Sequence, residues 1–220
     1  MNKARPLPPC LNVGFTQAKT QTTPMSKRFV ILVAALIPLA LLIMALVAPA
    51  TTVYDVVDKG DGFEVRHYAP YVVAETTASG PFDTADDAAF GVLVDYIGGA
   101  NEGQLHLPMT APVNQQPQGG GASDWLFQFA ISPEYLRSMV PRPANPDIKL
   151  RQVPAHFAAA RRYRGNWSES RYREQEHALL AALNQAGIET VGSPMFARYN
   201  AAFVPGFLRR NEVIVEVKRP

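Results

Sequence analysis

The chain has 220 residues, is 47% hydrophobic and 18% charged, and carries a net charge of +2; neither a disordered nor a collagen-like composition fits. The first 50 residues hold five bases (Lys3, Arg5, Lys19, Lys27, Arg28) and no acid, which leaves the rest at −3 and gives no electrostatic case for nucleic acid. Cys10, the only cysteine, precedes any expected folded segment, so an internal disulfide, a CxxC pair, a cysteine zinc site and a cysteine nucleophile are excluded.

In chain order, residues 1–28 read as an unstructured cytoplasmic segment, with Met25-Ser26-Lys27-Arg28 a possible alternative start. Phe29–Ala48 is a run of 20 uncharged residues, long enough for the ~30 Å hydrocarbon core. The flanking positive charge places the N-terminus in the cytoplasm and everything after Ala50 outside, on a single-pass inner-membrane anchor. The rival is a signal sequence cleaved after the small-x-small string Ala48-Pro49-Ala50. The first segment is taken as 1–28, the second as 29–50, and the exported domain as 51–220.

In that domain, alternating segments predict strands at Val53–Val57, Phe63–Tyr68, Tyr71–Thr77, Leu105–Val113 and Trp125–Ile131, then at Ile148–Val153, Phe157–Tyr163, Met195–Tyr199 and Glu212–Val217. Two amphipathic helices are expected. Asp83–Ile97 repeats Ala89, Phe90, Leu93, Val94 and Ile97, with Asp86-Asp87 complementing its dipole. Ser168–Ala186 repeats Tyr172, Leu179, Leu180 and Leu183, with Asn166 and Glu169 as a capping box. Gln115–Ser123 and Pro141–Pro146 read as loops.

An internal repeat suggests the architecture. Phe63–Gly80 aligns with Ile148–Gly165 at a spacing of 85, matching Arg66 with Arg151, Ala74 with Ala159 and Gly80 with Gly165. Each copy leads into a helix, and Pro-Met-x-Ala recurs at 108–111 and 194–197, a spacing of 86. The expected fold is α+β: an antiparallel, distorted β-barrel of two ββαββ repeats with two flanking helices, preceded by the transmembrane helix. Strand parity puts Phe63, Val65 and His67 on one face, matching Ile148, Leu150 and Gln152. This apolar parity is read as the inner one, a closed core or a groove for a flat apolar ligand. His106, His156 and His177 are expected to be solvated. The chain carries no GxSxG, no HExxH and no phosphate-cradling glycine loop, so it is not read as an enzyme. A hydrolase would need convergent carboxylates inside the barrel, for which Glu75 is the inward acid.

The strings DKGDGFEVRHYAPYVVAE, LPMTAPV (Leu107–Val113) and FLRRNEVIVEV (Phe207–Val217) resemble the SOUL family of haem-binding proteins, in family order over residues 53–217. The resemblance implies a barrel of two ββαββ repeats, related to small-molecule-sensing domains of the gyrase-inhibitor type. It also implies non-covalent binding of haem or another tetrapyrrole rather than catalysis. Some members carry a histidine at the place of His67, which makes His67 the candidate iron ligand; others hold haem by an apolar cleft alone. Met109 and Met195 are candidate thioether ligands or barrel lining. Among the arginines that could pair bidentately with propionates, Arg161 and Arg198 are singled out, while Arg209-Arg210 could instead brace the fold. Expected partners are a porphyrin and, through residues 29–48, the lipid bilayer, with no nucleic acid. The alternative function is a cell-envelope scaffold that binds no haem.

Overall fold

The computed structural model describes residues 50, 51, 54–119, 123–132, 135 and 139–219. The expected cytoplasmic segment and the apolar run Phe29–Ala48 lie outside the described residues; among those described, no helix is long and apolar enough to cross a membrane. The first half contains β1 (Ala50–Thr51), β2 (Tyr54–Gly60), β3 (Phe63–Tyr68), β4 (Tyr71–Ser79), α1 (Phe82–Ile97), β5 (Thr110–Ala111), β6 (Val113–Pro117) and β7 (Asp124–Ala130). The second contains β8 (Lys149–Val153), β9 (His156–Arg164), α2 (Glu169–Gln185), β10 (Thr190–Arg198) and β11 (Arg210–Val217), with a 3-10 turn at Gly206–Leu208.

Nine strands form one antiparallel sheet in the order β2-β3-β9-β11-β10-β6-β7-β4-β8, and β1 pairs in parallel with β5 beside it. The sheet is open, which corrects the expected barrel. Its edge strands, YDVVDKG and KLRQV, are largely solvent-facing and charged, the composition that keeps an edge from pairing onward.

The repeat is real, and its first strands are exchanged. Outward from the central β10–β6 pair, one side runs β11, β9, β3 and the other β7, β4, β8. Val65 faces Ala159 across β3–β9, and Leu150 faces Ala74 across β8–β4, the same pair displaced by the spacing of 85. Gly80 and Gly165 end equivalent strands at φ 133° and 137°, conformations open mainly to glycine. Each glycine carbonyl accepts a side-chain hydrogen bond at 3.0 Å, from Trp125 Nε1 and Asn211 Nδ2 respectively.

The Pro-Met-x-Ala strings are not equivalent places in the sheet. Phe127 faces Gln115 and Val213 faces Phe196, so the counterpart of Phe196 is Gln115 rather than Thr110. Leu105–Val113 is not one strand either. Residues 105–109 run irregularly, the Ala111–Pro112 peptide is cis, and the central strand begins at Val113 and runs to Pro117, into the loop expected from Gln115.

Both helices cover the same sheet face. Phe63, Val65, Phe127, Val213 and Val215 pack there against Leu93 and Tyr96 of α1 and Tyr172, Leu179 and Leu183 of α2. Phe82 stacks on Tyr172 at 5.8 Å and meets the Trp125 edge at 5.4 Å. Each such fully buried side chain contributes about 1.5–3 kcal/mol. The apolar parity therefore faces a filled core, not a groove. Phe90 turns to solvent, outside the α1 stripe. Ser168, not Asn166, caps α2, its Oγ accepting from the Arg171 N–H at 3.4 Å. Asp86 pairs with Arg198 of β10, a cross-element contact beyond its dipole role.

Candidate functional site

Among the described residues, the opposite sheet face carries no helix. Ala158 of β9, in an alanine- and tyrosine-rich cluster on this face, leaves a low floor walled by Tyr54, Tyr68, Tyr71, Met195, Tyr199 and Ile214. The resulting cleft encloses about 190 Å³ and opens to solvent, with Asn114, Gln128 and Arg151 among its polar lining.

The wall is an aromatic stack. His156 lies parallel to Tyr68, with ring centroids 5.2 Å apart and planes 7° apart; Tyr54 is 5.1 Å from Tyr68, tilted by 50°. The Nδ1–H of His156 donates to the Pro154 carbonyl at 3.0 Å, so Nε2 is the ring nitrogen left for a ligand. Burial pushes the Tyr68 phenol up to about 12 and raises that of Tyr71, so these two phenols are uncharged at neutral pH. Asn114 Oδ1 is buried in the cleft without a hydrogen-bond partner, a vacancy an entering polar group can fill.

Beneath one end lies an ion cluster. Fully buried Glu212 accepts from Arg66 at 2.7 and 3.1 Å, from Arg210 at 2.7 Å and from the Tyr199 hydroxyl at 2.7 Å. Burial alone would raise the Glu212 carboxyl, but the hydrogen bonds and charge of Arg66, followed by Arg210 and Tyr199, hold it below its ordinary value. Arg66 sits 4.4 Å over the Tyr54 ring and Arg210 3.9 Å over that of Tyr199, so the cluster fixes two cleft walls. A second hollow of about 470 Å³ shares Tyr54 with the cleft and is bordered by Lys59, Arg162 and Arg210.

Of the residues expected from sequence, Met195 lines the cleft. His67 has helix-face parity and lies 4.8 Å from the Phe157 ring. Arg161 donates to Gln175 of α2 at 3.1 Å and to the Gly62 carbonyl at 3.2 Å. Arg198 is buried against Phe82, Trp167 and Phe196, paired with Asp86 and Gln115. Met109 is half exposed and lies outside the strands. Arg209 braces the loop before β11 through the carbonyls of Ala202 and Val204. Glu75 accepts from Arg151 at 3.0 Å and from Gln128 at 3.1 Å. Sequence reasoning passed over Tyr54, Tyr68, Tyr71 and Tyr199, and His156, expected to be solvated, is half-buried against Tyr68. The available signal was Tyr68, which has the opposite parity to Phe63 and Val65 and is nevertheless apolar in body. Among the described residues, no group of three His, Cys, Asp or Glu side chains could hold a bare metal ion.

A family model described as SOUL heme-binding protein matches residues 50–216. The chain is 29% identical to Heme-binding protein 2 of Homo sapiens over 129 residues, covering 57% of this chain and 63% of that protein. It is 28% identical to Heme-binding protein 2 of Mus musculus over 137 residues, covering 60% and 67%. The match thus spans under two thirds of the human protein's length. In fold, it resembles the C-terminal domain of EcmrR (TM-score 0.57, 14% identity, 76% of this chain and 99% of that one). A crystal structure titled as a hydrolase from Listeria innocua is also similar (TM-score 0.50, 8% identity, 74% and 94%).

Proposed function

The chain belongs to the SOUL family of haem-binding proteins, and from that premise we propose that it binds haem or another tetrapyrrole, non-covalently, in the tyrosine-walled cleft. The observation that carries this reading is an alanine floor under aromatic walls on the helix-free face, a shape suited to a flat apolar ring. The enclosed 190 Å³ falls below the ~300–1,000 Å³ of sites that engulf a whole ligand. The residues therefore fit one edge of a macrocycle, with the remainder against solvent.

When bound, haem supplies redox-active iron and the macrocycle's apolar faces. Tyr68, Tyr71 and His156 offer rings for stacking, and burial of apolar area supplies affinity at about 25 cal/mol per Å² before association costs. His156 Nε2 is the imidazole nitrogen available to iron. Met195 packs against the ring, and Arg151, half exposed at the cleft, is placed to meet a propionate. We assign no catalytic role, since the Glu75 carboxylate is engaged by Arg151 and Gln128. Around this domain we propose export and tethering, with residues 1–28 cytoplasmic and Phe29–Ala48 crossing the inner membrane; cleavage near Ala50 is the variant reading.

Haem titration into residues 50–220 tests the binding. The expected result is a Soret band saturating near one equivalent; a featureless, non-saturating titration contradicts it. His156→Ala should shift the band and weaken binding of haem more than that of metal-free protoporphyrin, and His67→Ala should leave the band in place. The reverse pattern would return iron ligation to His67.

A further inference from the structure

The loop between β10 and β11 exposes more apolar side chain than a loop of its size needs. Phe203, Phe207 and Leu208 are 62%, 73% and 43% exposed. Their exposure is built in. Arg209 donates to the carbonyls of Ala202 and Val204, Arg164 donates to that of Phe207, and the Arg210 N–H donates to Asn200 Oδ1 at 2.6 Å. Val204 is buried beneath, and Gly206–Leu208 forms a 3-10 turn. The backbone is thus pinned from below while the aromatic rings point outward.

Charge and chain path indicate the occupant. Arg198 and Arg210 are paired with Asp86 and Glu212, so the positive charge at the loop is that of Arg209 within it and of exposed Arg164, which flanks it from β9. Val113 faces Arg198, so β6 starts at the sheet end where β10 runs into the loop. β1 pairs with β5, immediately before β6, so the chain enters the domain at that same end. Only Pro49 separates the apolar run Phe29–Ala48 from β1, a link that spans at most ~7 Å.

We propose that this loop is a second membrane contact, seating Phe203, Phe207 and Leu208 among the headgroups of an anionic bilayer with exposed Arg164 toward the lipid phosphates. This rests on the tethering proposed above, in which Phe29–Ala48 holds the entry end of the sheet near the bilayer. Docking there would fix which way the cleft opens relative to the membrane.

The test uses the full chain with Cys10→Ser, carrying Ala202→Cys or, as a control on α2, Glu174→Cys. Each is labelled with an environment-sensitive fluorophore and reconstituted in phosphatidylcholine–phosphatidylglycerol vesicles containing a lipid-borne quencher. The label at 202 should be quenched several-fold more than that at 174. The difference should shrink in pure phosphatidylcholine and vanish with Phe203→Ser plus Phe207→Ser. Equal quenching at both sites in a chain that resists carbonate extraction would overturn the loop contact and leave the anchor standing. Release by carbonate would overturn the anchor, with the quenching difference still deciding the loop. Equal quenching together with a detergent-stable dimer that Phe207→Ser dissociates would assign the patch to a second copy, and that too overturns the proposal.

Discussion

Glu212 illustrates how one buried charge organises the cleft. It is 146 positions from Arg66, and its carboxylate is kept ionised by two guanidiniums and a phenol. Its folded pKa lies below the unfolded 4.5. The stabilisation it contributes is therefore complete above about pH 4.5 and lost as pH falls through the folded value. Glu212→Gln should cost about 3–5 kcal/mol at pH 7, because it leaves two arginines without their buried partner. It should also flatten the acid limb. Urea unfolding at pH 7 and pH 3.5 would check both, and equal losses at the two pH values would contradict the account. The RRNEV string was legible as a motif, but its partner was not, since no local pattern links positions so distant. The same holds for the histidines. Parity correctly separated His67 from Tyr68, yet the inference that apolar parity marks the ligand face assumed a single buried face. This sheet buries residues on both, with a helix-packed core on one side and alanines under tyrosines on the other.

At the scale of elements, helices were legible to within a residue or two, because the 3.6-residue stripe and the glycine stops act locally. Ser168→Ala should cost about 1 kcal/mol by removing the α2 cap, whereas Asn166→Ala should leave the cap intact; chemical denaturation of the two variants distinguishes them. Gly80→Ala and Gly165→Ala should both destabilise, since each imposes a side chain on a positive φ. Gly165→Ala should be the worse, because its Cβ meets Arg171 Nε at 2.6 Å, whereas at Gly80 the nearest atom is 3.8 Å away. A larger loss at Gly80 would contradict this reading. Strand β6 escaped the sequence reading because VNQQP looks like a turn. Its glutamines are there for specific partners: Gln115 donates to the Phe82 carbonyl at 3.2 Å and accepts from Arg198, while Gln116 reaches the Ser193 carbonyl at 2.6 Å. Conversely, the apolar run before it is interrupted by Pro108 and Pro112, which remove ladder donors.

For the whole molecule, the exchange of β3 and β8 between the repeats makes each half incomplete by itself. Calorimetry of residues 50–220 should show one cooperative transition, and residues 50–131 alone should not fold; two separable transitions would contradict the interlocked picture. The repeat spacing made the twofold visible in sequence, but strand exchange and the open edges depend on long-range pairing that no single segment encodes. The central claim is that the helix-free face, with Ala158 at its floor, receives the tetrapyrrole. Its most direct test is the haem dissociation constant of Ala158→Leu, a substitution that raises the floor without touching the helix-side core. The account predicts at least tenfold weaker binding, a loss of about 1.4 kcal/mol, with the thermal transition retained. Unchanged affinity in a folded Ala158→Leu protein would place the ligand elsewhere.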